Sequence, residues 1–321
     1  MTILPTTDRP GLLRRAWDTN RPLAFAGIAM IAVLTVALVG LIVDPRVITG
    51  APAWLKPAKF AISIAIYSFT LIWLLTFVTG WRRTVRIVSW VTAVALGLEM
   101  VIIAGAAAVG TTSHFNVSTT AHIVAWSAMG NMIVATWIAN AVVGVVLLRQ
   151  RLADAAFAWS LRLGVLISTV GMGVAFFMTT PTDEQLAAAE QTGGLPVAGA
   201  HSVGVADGGP GLPIIGWSTE GGDLRAAHFF GLHGLQVLPI LGVLLARYGP
   251  AWLRARDRVA LVWTAGLAYL AFVLLTTGQA LRAQSIVAPD AVTLAGYGVI
   301  VAGSTLAVAA IVGRARAGVS A

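Results

Sequence analysis

The chain has 321 residues, of which 58% are hydrophobic and 11% charged, and it contains no cysteine. A soluble protein of this length does not hide so much apolar surface, so the composition indicates a polytopic membrane protein. The net charge of +8 does not indicate a nucleic-acid partner, because the arginines lie between apolar segments and not in a basic domain. The lack of cysteine excludes disulfides, iron–sulfur clusters and thiol nucleophiles.

Apolar runs long enough to cross a bilayer recur eight times. They predict an all-α, single membrane domain over residues 1–321, with transmembrane helices at about 22–43, 59–80, 85–109, 120–147, 157–179, 224–246, 259–281 and 291–313. The first run is longer than the core of a signal peptide, and no small-residue cleavage site follows it. We therefore expect this helix to be retained.

The charges between the apolar runs predict the orientation. If both termini are cytoplasmic, 16 of the 21 basic residues lie on the cytoplasmic side and 8 of the 13 acidic residues lie outside, as the positive-inside rule requires. The composition, rich in Ala, Arg and Val, suggests the inner membrane of a bacterium. The sixteen cytoplasmic residues are Arg9, Arg14, Arg15, Arg21, Arg82, Arg83, Arg86, Arg149, Arg151, Arg162, Arg247, Arg254, Arg256, Arg258, Arg314 and Arg316.

In this topology helices 1–4 and 5–8 enter the membrane in the same sense, which permits a parallel 4+4 repeat. The long extracytoplasmic connection, 180–222, differs from the others. Its "TPTDEQLAAAEQT" predicts a short helix with a threonine cap. The Gly- and Pro-rich remainder predicts irregular structure, which serves either as a lid over an outer site or as a mobile loop.

The sixth predicted helix begins in "GDLRAAHFFGLHGLQVLP", with two histidines in an apolar segment. At about 1.5 Å per residue, His228 lies roughly 6 Å and His233 roughly 13 Å below the helix start. Glu99 in helix 3 reaches a similar depth, so His233 is the expected partner of this carboxylate. His228 and His233 are five residues apart and should face different neighbours, unlike an i, i+4 pair of metal ligands.

Other polar residues gather near the predicted outer ends of the helices. His122 opens helix 4, whereas His114 and His201 are interpreted as ordinary loop residues. The two lysines of the chain, Lys56 and Lys59, lie at the outer mouth of helix 2, where they serve as lipid anchors or bind a carboxylate. Two outer arginines near helix ends join the same predicted cluster, namely Arg225 and Arg282.

Eight helices in a 4+4 arrangement, Glu99 in helix 3 and histidines near the outer ends of even-numbered helices resemble the haem A synthase family. The resemblance implies two four-helix halves, haem held by histidine pairs, and a glutamate near the substrate haem. On this chain it makes His122 and either His228 or His233 the candidate ligands, with Glu99 as the acidic group. Helices 2 and 8 carry no histidine, so neither half keeps its own pair.

Three specific functions stay open, besides that of a structural or assembly subunit in a larger complex. The first is a haem-binding oxidoreductase or electron carrier, with Lys56, Lys59, Arg225 and Arg282 neutralising the haem propionates. The second is a proton-coupled transporter that uses Glu99 and His233. The third is an intramembrane enzyme that acts on a lipid, isoprenoid or quinone with Glu99 or His233 as acid or base. A metal site without haem, with His122 and His228 as ligands, fits the first and third. Membrane lipids are the expected partners.

Overall fold

The computed structural model describes residues 11–320 and the side chains as far as residue 318. Its helices are α1 (Leu12–Thr19), α2 (Arg21–Val43), α3 (Leu55–Leu75), α4 (Arg82–Val109), α5 (Thr120–Arg149), α6 (Ala155–Val174), α7 (Asp183–Thr192), α8 (Leu224–Tyr248), α9 (Ala255–Leu281) and α10 (Ala291–Ser320). Two short antiparallel pairs, β1 (Val47–Ile48) with β2 (Ala51–Pro52) and β3 (Ser202–Val203) with β4 (Gly222–Asp223), lie in the connections.

Within the described range eight helices are long and apolar enough to cross a membrane. The prediction of an all-α fold with eight such helices is therefore confirmed, and it supports a multi-pass membrane protein. Arg9, one of the basic residues assigned to the cytoplasmic side, lies outside the described residues. The short helix predicted after Thr180 is also confirmed: α7 begins with a capping box between Thr182 and Gln185.

Several helix boundaries differ from the prediction by a few residues, and two of these differences, at the start of α3 and the end of α6, have local reasons. Helix α3 begins at Leu55, four residues before the predicted start, because Pro57 is accepted in the first turn of a helix. Lys56 and Lys59 consequently lie inside α3. The fifth spanning helix, α6, ends at Val174 and continues as a 3₁₀ turn over Ala175–Thr179, so the last turn before the long loop is tighter than expected.

The helices pack in two groups. In the first, α2 packs against α3 and α4, and α4 packs against α3 and α5; in the second, α6 packs against α8 and α9, and α9 packs against α8 and α10. The α5–α6 contact joins the groups. A buried polar link crosses this junction, because Tyr67 donates to the Oδ1 of Asn140, and the Nδ2 of Asn140 donates to Thr169. Such bonds hold helices together where lipid gives no hydrophobic driving force.

The closest helix pair is α6 with α8, and glycines permit the approach. The backbones touch at Gly171 and Gly231, where a Cβ added to either residue would overlap the other. Seven residues before Gly171 in α6, Gly164 lies against the Gly234 carbonyl and the Pro239 ring. Small residues at such crossings allow the backbone contact that drives helix association in membranes.

We expect the substitution Gly231→Leu to destabilise the protein by about 1–3 kcal/mol or more, because a packed interface cannot absorb the added side chain. The melting temperature, followed by tryptophan fluorescence in detergent, measures the change. Gly298→Leu is the control, because a Cβ added at that position on α10 meets nothing. Equal melting temperatures for the two variants would contradict the close α6–α8 packing.

Candidate functional site

A buried carboxylate lies in a membrane-spanning helix, in the half of the bundle predicted to be the outer one. Glu99, on α4, has a side chain that is 1% exposed. Its Oε1 is 3.7 Å from the Nε2 of His114, and its Oε2 has no hydrogen-bond partner among the described residues. A carboxylate in such a position must be neutralised by a positive charge or by a proton.

Lys56 supplies the nearest positive charge in the first turn of α3. The carboxylate of Glu99 and the ammonium of Lys56 attract each other electrostatically, and Lys56 also lies within range of Arg225 and Asp207. The Lys56 Nζ is 6.0 Å from the centre of the Phe60 ring. The pair thus connects α3 to α4 through opposite charges in an apolar surrounding, where such attraction is strong.

His114 lies in the α4–α5 connection and covers the Glu99 carboxylate. Its ring is packed against the rings of Phe60, Phe115 and Trp126 at centroid distances of 5.7, 6.1 and 5.6 Å. The Nδ1 atom is 3.0 Å from the Ser113 hydroxyl. Burial lowers the pKa of His114 well below its usual range, and the positive charge of Lys56 acts in the same direction. The imidazole is therefore neutral at neutral pH.

A second histidine, His201, enters the site from the long loop. Its ring lies 4.8 Å from that of Phe115, and its Nδ1 donates to the Oδ2 of Asp207 at 2.7 Å. Burial lowers the pKa of His201, although the bond to Asp207 opposes this change. Burial acts to raise the pKa of Asp207, but the bond from His201 and the backbone N–H groups of His201 and Ser202 lower it overall. A neutral imidazole beside an ionised carboxylate results.

We call Lys56, Glu99, His114, His201 and Asp207 the outer cluster, and residues 193–222 the lid. Two predicted basic residues fasten this lid. Lys59 donates to the Ile215 carbonyl at 3.2 Å, and Arg225 donates to the Gly216 carbonyl at 2.6 Å. Arg225 also forms an ion pair with the buried Asp223. These bonds attach the loop to the N-terminal ends of α3 and α8.

The two histidines of α8 have different partners. His228 donates from Nδ1 to the Gly171 carbonyl of α6 at 2.8 Å. His233 lies 3.2 Å from the Oε1 of Gln236, which in turn donates to Thr70. His233 is therefore not placed as the partner of Glu99; that position belongs to His114. The expectation that His228 and His233 face different neighbours is met.

His122 and Arg282 lie apart from the outer cluster. His122 is in the first turn of α5, with its Nδ1 at 3.1 and 3.0 Å from the hydroxyls of Ser118 and Thr119. Arg282, at the end of α9, is exposed; it donates to Thr293 and lies 3.9 Å from Asp290. Of the four predicted outer cations, only Lys56, Lys59 and Arg225 are brought together.

The residues present do not fit a haem held between His122 and His228. His122 lines a pocket of about 190 Å³ whose lining does not include His228. Cofactor pockets are usually about 300–1,000 Å³. Among the described residues there is also no group of three or more His, Asp and Glu side chains arranged to hold a metal ion. The described geometry gives no support to His122 and His228 as ligands of one metal.

Sequence reasoning missed three residues of the outer cluster: His114, His201 and Asp207. All three lie in connections, where a polar residue is ordinary. One signal was available, because all five histidines fall in the predicted outer half. Their meeting depends on the lid folding back over α4, which no spacing in the sequence reveals.

No protein-family model, no curated protein and no solved structure matches this chain. The resemblance to the haem A synthase family therefore stays a prediction.

We expect the protein to lose stability as the pH falls below about 6.5, the usual value for histidine. In that range the unfolded chain binds protons on His114 and His201, whereas the folded protein keeps both neutral because their pKa values are lowered. The melting temperature should fall less steeply with pH in His114→Gln and His201→Gln. Ser118→Ala, at an exposed position, serves as the control. Identical slopes in all four proteins would contradict the assignment.

Proposed function

We propose that this chain is a proton-coupled membrane transporter in which Glu99 is the protonated group. The observation that carries the proposal is the position of this carboxylate. It is buried in a spanning helix, it lies beside one ammonium and one imidazole, and one of its oxygens has no partner among the described residues. Ionisable residues inside membrane helices are costly and usually serve ion pathways.

Protonation of Glu99 would change the forces between helices. The ionised carboxylate on α4 attracts Lys56 on α3 and faces His114 in the α4–α5 connection. A proton that reaches Glu99 removes this negative charge and leaves Asp207 as the remaining carboxylate that attracts Lys56. The two protonation states therefore favour different α3–α4 arrangements, which is the differential stabilisation that coupling requires.

The architecture supports this class of protein. The pairings of α2, α3, α4 and α5 recur in the same order among α6, α8, α9 and α10, which supports the inferred 4+4 repeat. Transporters often contain two related halves that move against each other. Helix α8 carries Pro239 in its interior, opposite the glycines of α6. Such positions absorb bending.

Flux into reconstituted vesicles tests the proposal. We expect at least one solute in a panel of small anions, amino acids and sugars to enter faster when the outer buffer is acidic. In Glu99→Gln this pH dependence should disappear, because the amide cannot exchange a proton. The infrared band of a protonated carboxyl, which appears on acidification of the wild-type protein, should be lost in the same variant.

Glu190→Gln is the matched control, because Glu190 is an exposed carboxylate of α7 outside the outer cluster. It should keep both the acid-stimulated flux and the infrared band. Acid-stimulated flux that persists in Glu99→Gln, or its absence from the wild-type protein across the whole panel, would overturn the proposal.

An acid–base enzyme that acts on a lipid or isoprenoid is the second candidate. The observation that favours it is the unpartnered Oε2 of Glu99, which would donate or accept a proton at a bound substrate. This function would turn over substrate in detergent micelles, whereas transport requires a sealed vesicle.

We further infer that both termini and the connections rich in arginine face the cytoplasm. The chain has no cysteine, so single cysteines report on one site each. We expect Ser118→Cys and Ala187→Cys to react with a membrane-impermeant maleimide added to intact cells. Arg83→Cys and Arg256→Cys should react only after the membrane is opened. The reverse labelling pattern would show that the termini face the opposite side of the membrane.

A further inference from the structure

We propose that the groove between the outer ends of α4 and α5 is a binding site for an uncharged amphiphilic lipid. A pocket of about 190 Å³ lies at this place. Its inner wall is formed by Ile102, Ala106 and Val109 of α4. Its outer rim is polar and is formed by Thr111, Thr112, Asn116 and His122. An apolar wall that ends in a polar rim matches a molecule with an apolar chain and a polar head.

The lining indicates an uncharged head group. It contains no Lys, Arg, Asp or Glu. A cation at the end of α4, Arg46, is already bound, because it pairs with Asp44 and donates to the carbonyls of Ala107 and Ala108. A phosphate or carboxylate placed here would have no counter-charge, which makes its transfer from water costly.

The rim can both donate and accept hydrogen bonds. The Nδ1 of His122 is hydrogen-bonded to the hydroxyls of Ser118 and Thr119, and the amide of Asn116 donates to the hydroxyl of Thr111. Among the described residues, no hydrogen bond engages the Nε2 of His122 or the hydroxyl hydrogen of Thr111. Hydroxyl and carbonyl oxygens match this set of donors and acceptors.

The pocket opens toward the lipid. Gly105 and Val109 line it and are exposed on a membrane-spanning helix, as are the neighbouring Val101 and Val124. Its volume is below the roughly 300 Å³ at which pockets enclose a drug-sized ligand. We therefore assign the pocket to the head alone, a single ring or a short oxygen-bearing chain, while the tail stays among the acyl chains. A quinone and a prenyl alcohol share this chemistry.

The site adjoins the outer cluster. Ser113 lines the pocket, and its hydroxyl lies 3.0 Å from the Nδ1 of His114, whose other nitrogen faces Glu99. A bound head group would thus be separated from the buried carboxylate by one serine and one imidazole. Binding itself does not depend on proton coupling, so the two proposals can fail separately.

Photochemical labelling tests the site. Three probes carry the same diazirine-bearing alkyl tail, with a benzoquinone, a primary alcohol or a phosphocholine as the head. In nanodiscs we expect the quinone probe, the alcohol probe or both to label residues 101–126, and unlabelled compound with the same head to compete. The phosphocholine probe should not label this segment above the level of bulk lipid. Which neutral head labels more strongly distinguishes a quinone from an alcohol.

The matched pair of variants is Ala125→Phe, which fills the pocket, and Val124→Phe, which adds the same ring on the neighbouring lipid-exposed face. We expect labelling to fall about tenfold, equivalent to about 1.4 kcal/mol, in the first variant and to persist in the second. If Ala125→Phe does not fold, Gly105→Leu fills the pocket from its open side, where an added Cβ meets nothing. Glu99→Gln should keep the labelling.

Labelling that is equal in Ala125→Phe, Gly105→Leu and the wild-type protein would overturn the proposal. So would equal labelling by the phosphocholine probe, which would identify the groove as ordinary lipid contact.

Discussion

The end of the bundle that carries the lid is organised by the cost of placing charge in an apolar medium. A carboxylate buried there needs a compensating positive charge or a proton, and Glu99 has Lys56 within electrostatic range. Lys56 lies on α3 and Glu99 on α4, so this attraction acts between the two helices, and His114 lies 3.7 Å from the carboxylate.

The cations predicted to lie on the outer face, Arg46, Lys59, Arg225 and Arg282, also show the cost of an uncompensated charge. Positive charges on this face run against the bias of the rest of the chain, yet each has a defined partner. Arg46 binds the last carbonyls of α4, where a helix end attracts positive charge. Lys59 and Arg225 bind carbonyls of the lid, and Arg282 joins the end of α9 to the start of α10. None of them therefore needs a substrate to explain its presence.

Much of the fold could be predicted from the sequence, because hydrophobic length is a local property. The apolar runs predict the eight spanning helices, and the threonine cap predicts α7. The site follows only in part. The sequence already singles out Glu99, Lys56 and Arg225, because charged residues are rare in or beside apolar segments. It does not single out His114, His201 and Asp207, because these lie in connections and meet only in the folded chain. The pairing of His233 with Glu99 rests only on their similar depth in the membrane. Depth does not determine the direction in which a side chain points around its helix.

The bonds that hold the lid determine which of its residues can vary among related chains. Lys59 and Arg225 hold the lid through the backbone carbonyls of Ile215 and Gly216, which every amino acid provides. Changes of the exposed side chains at residues 213–215 therefore cost little attachment. Asp207 and Asp223, in contrast, bind through their carboxylates. In an alignment of relatives, we expect these two aspartates to be constant and residues 213–215 between them to vary.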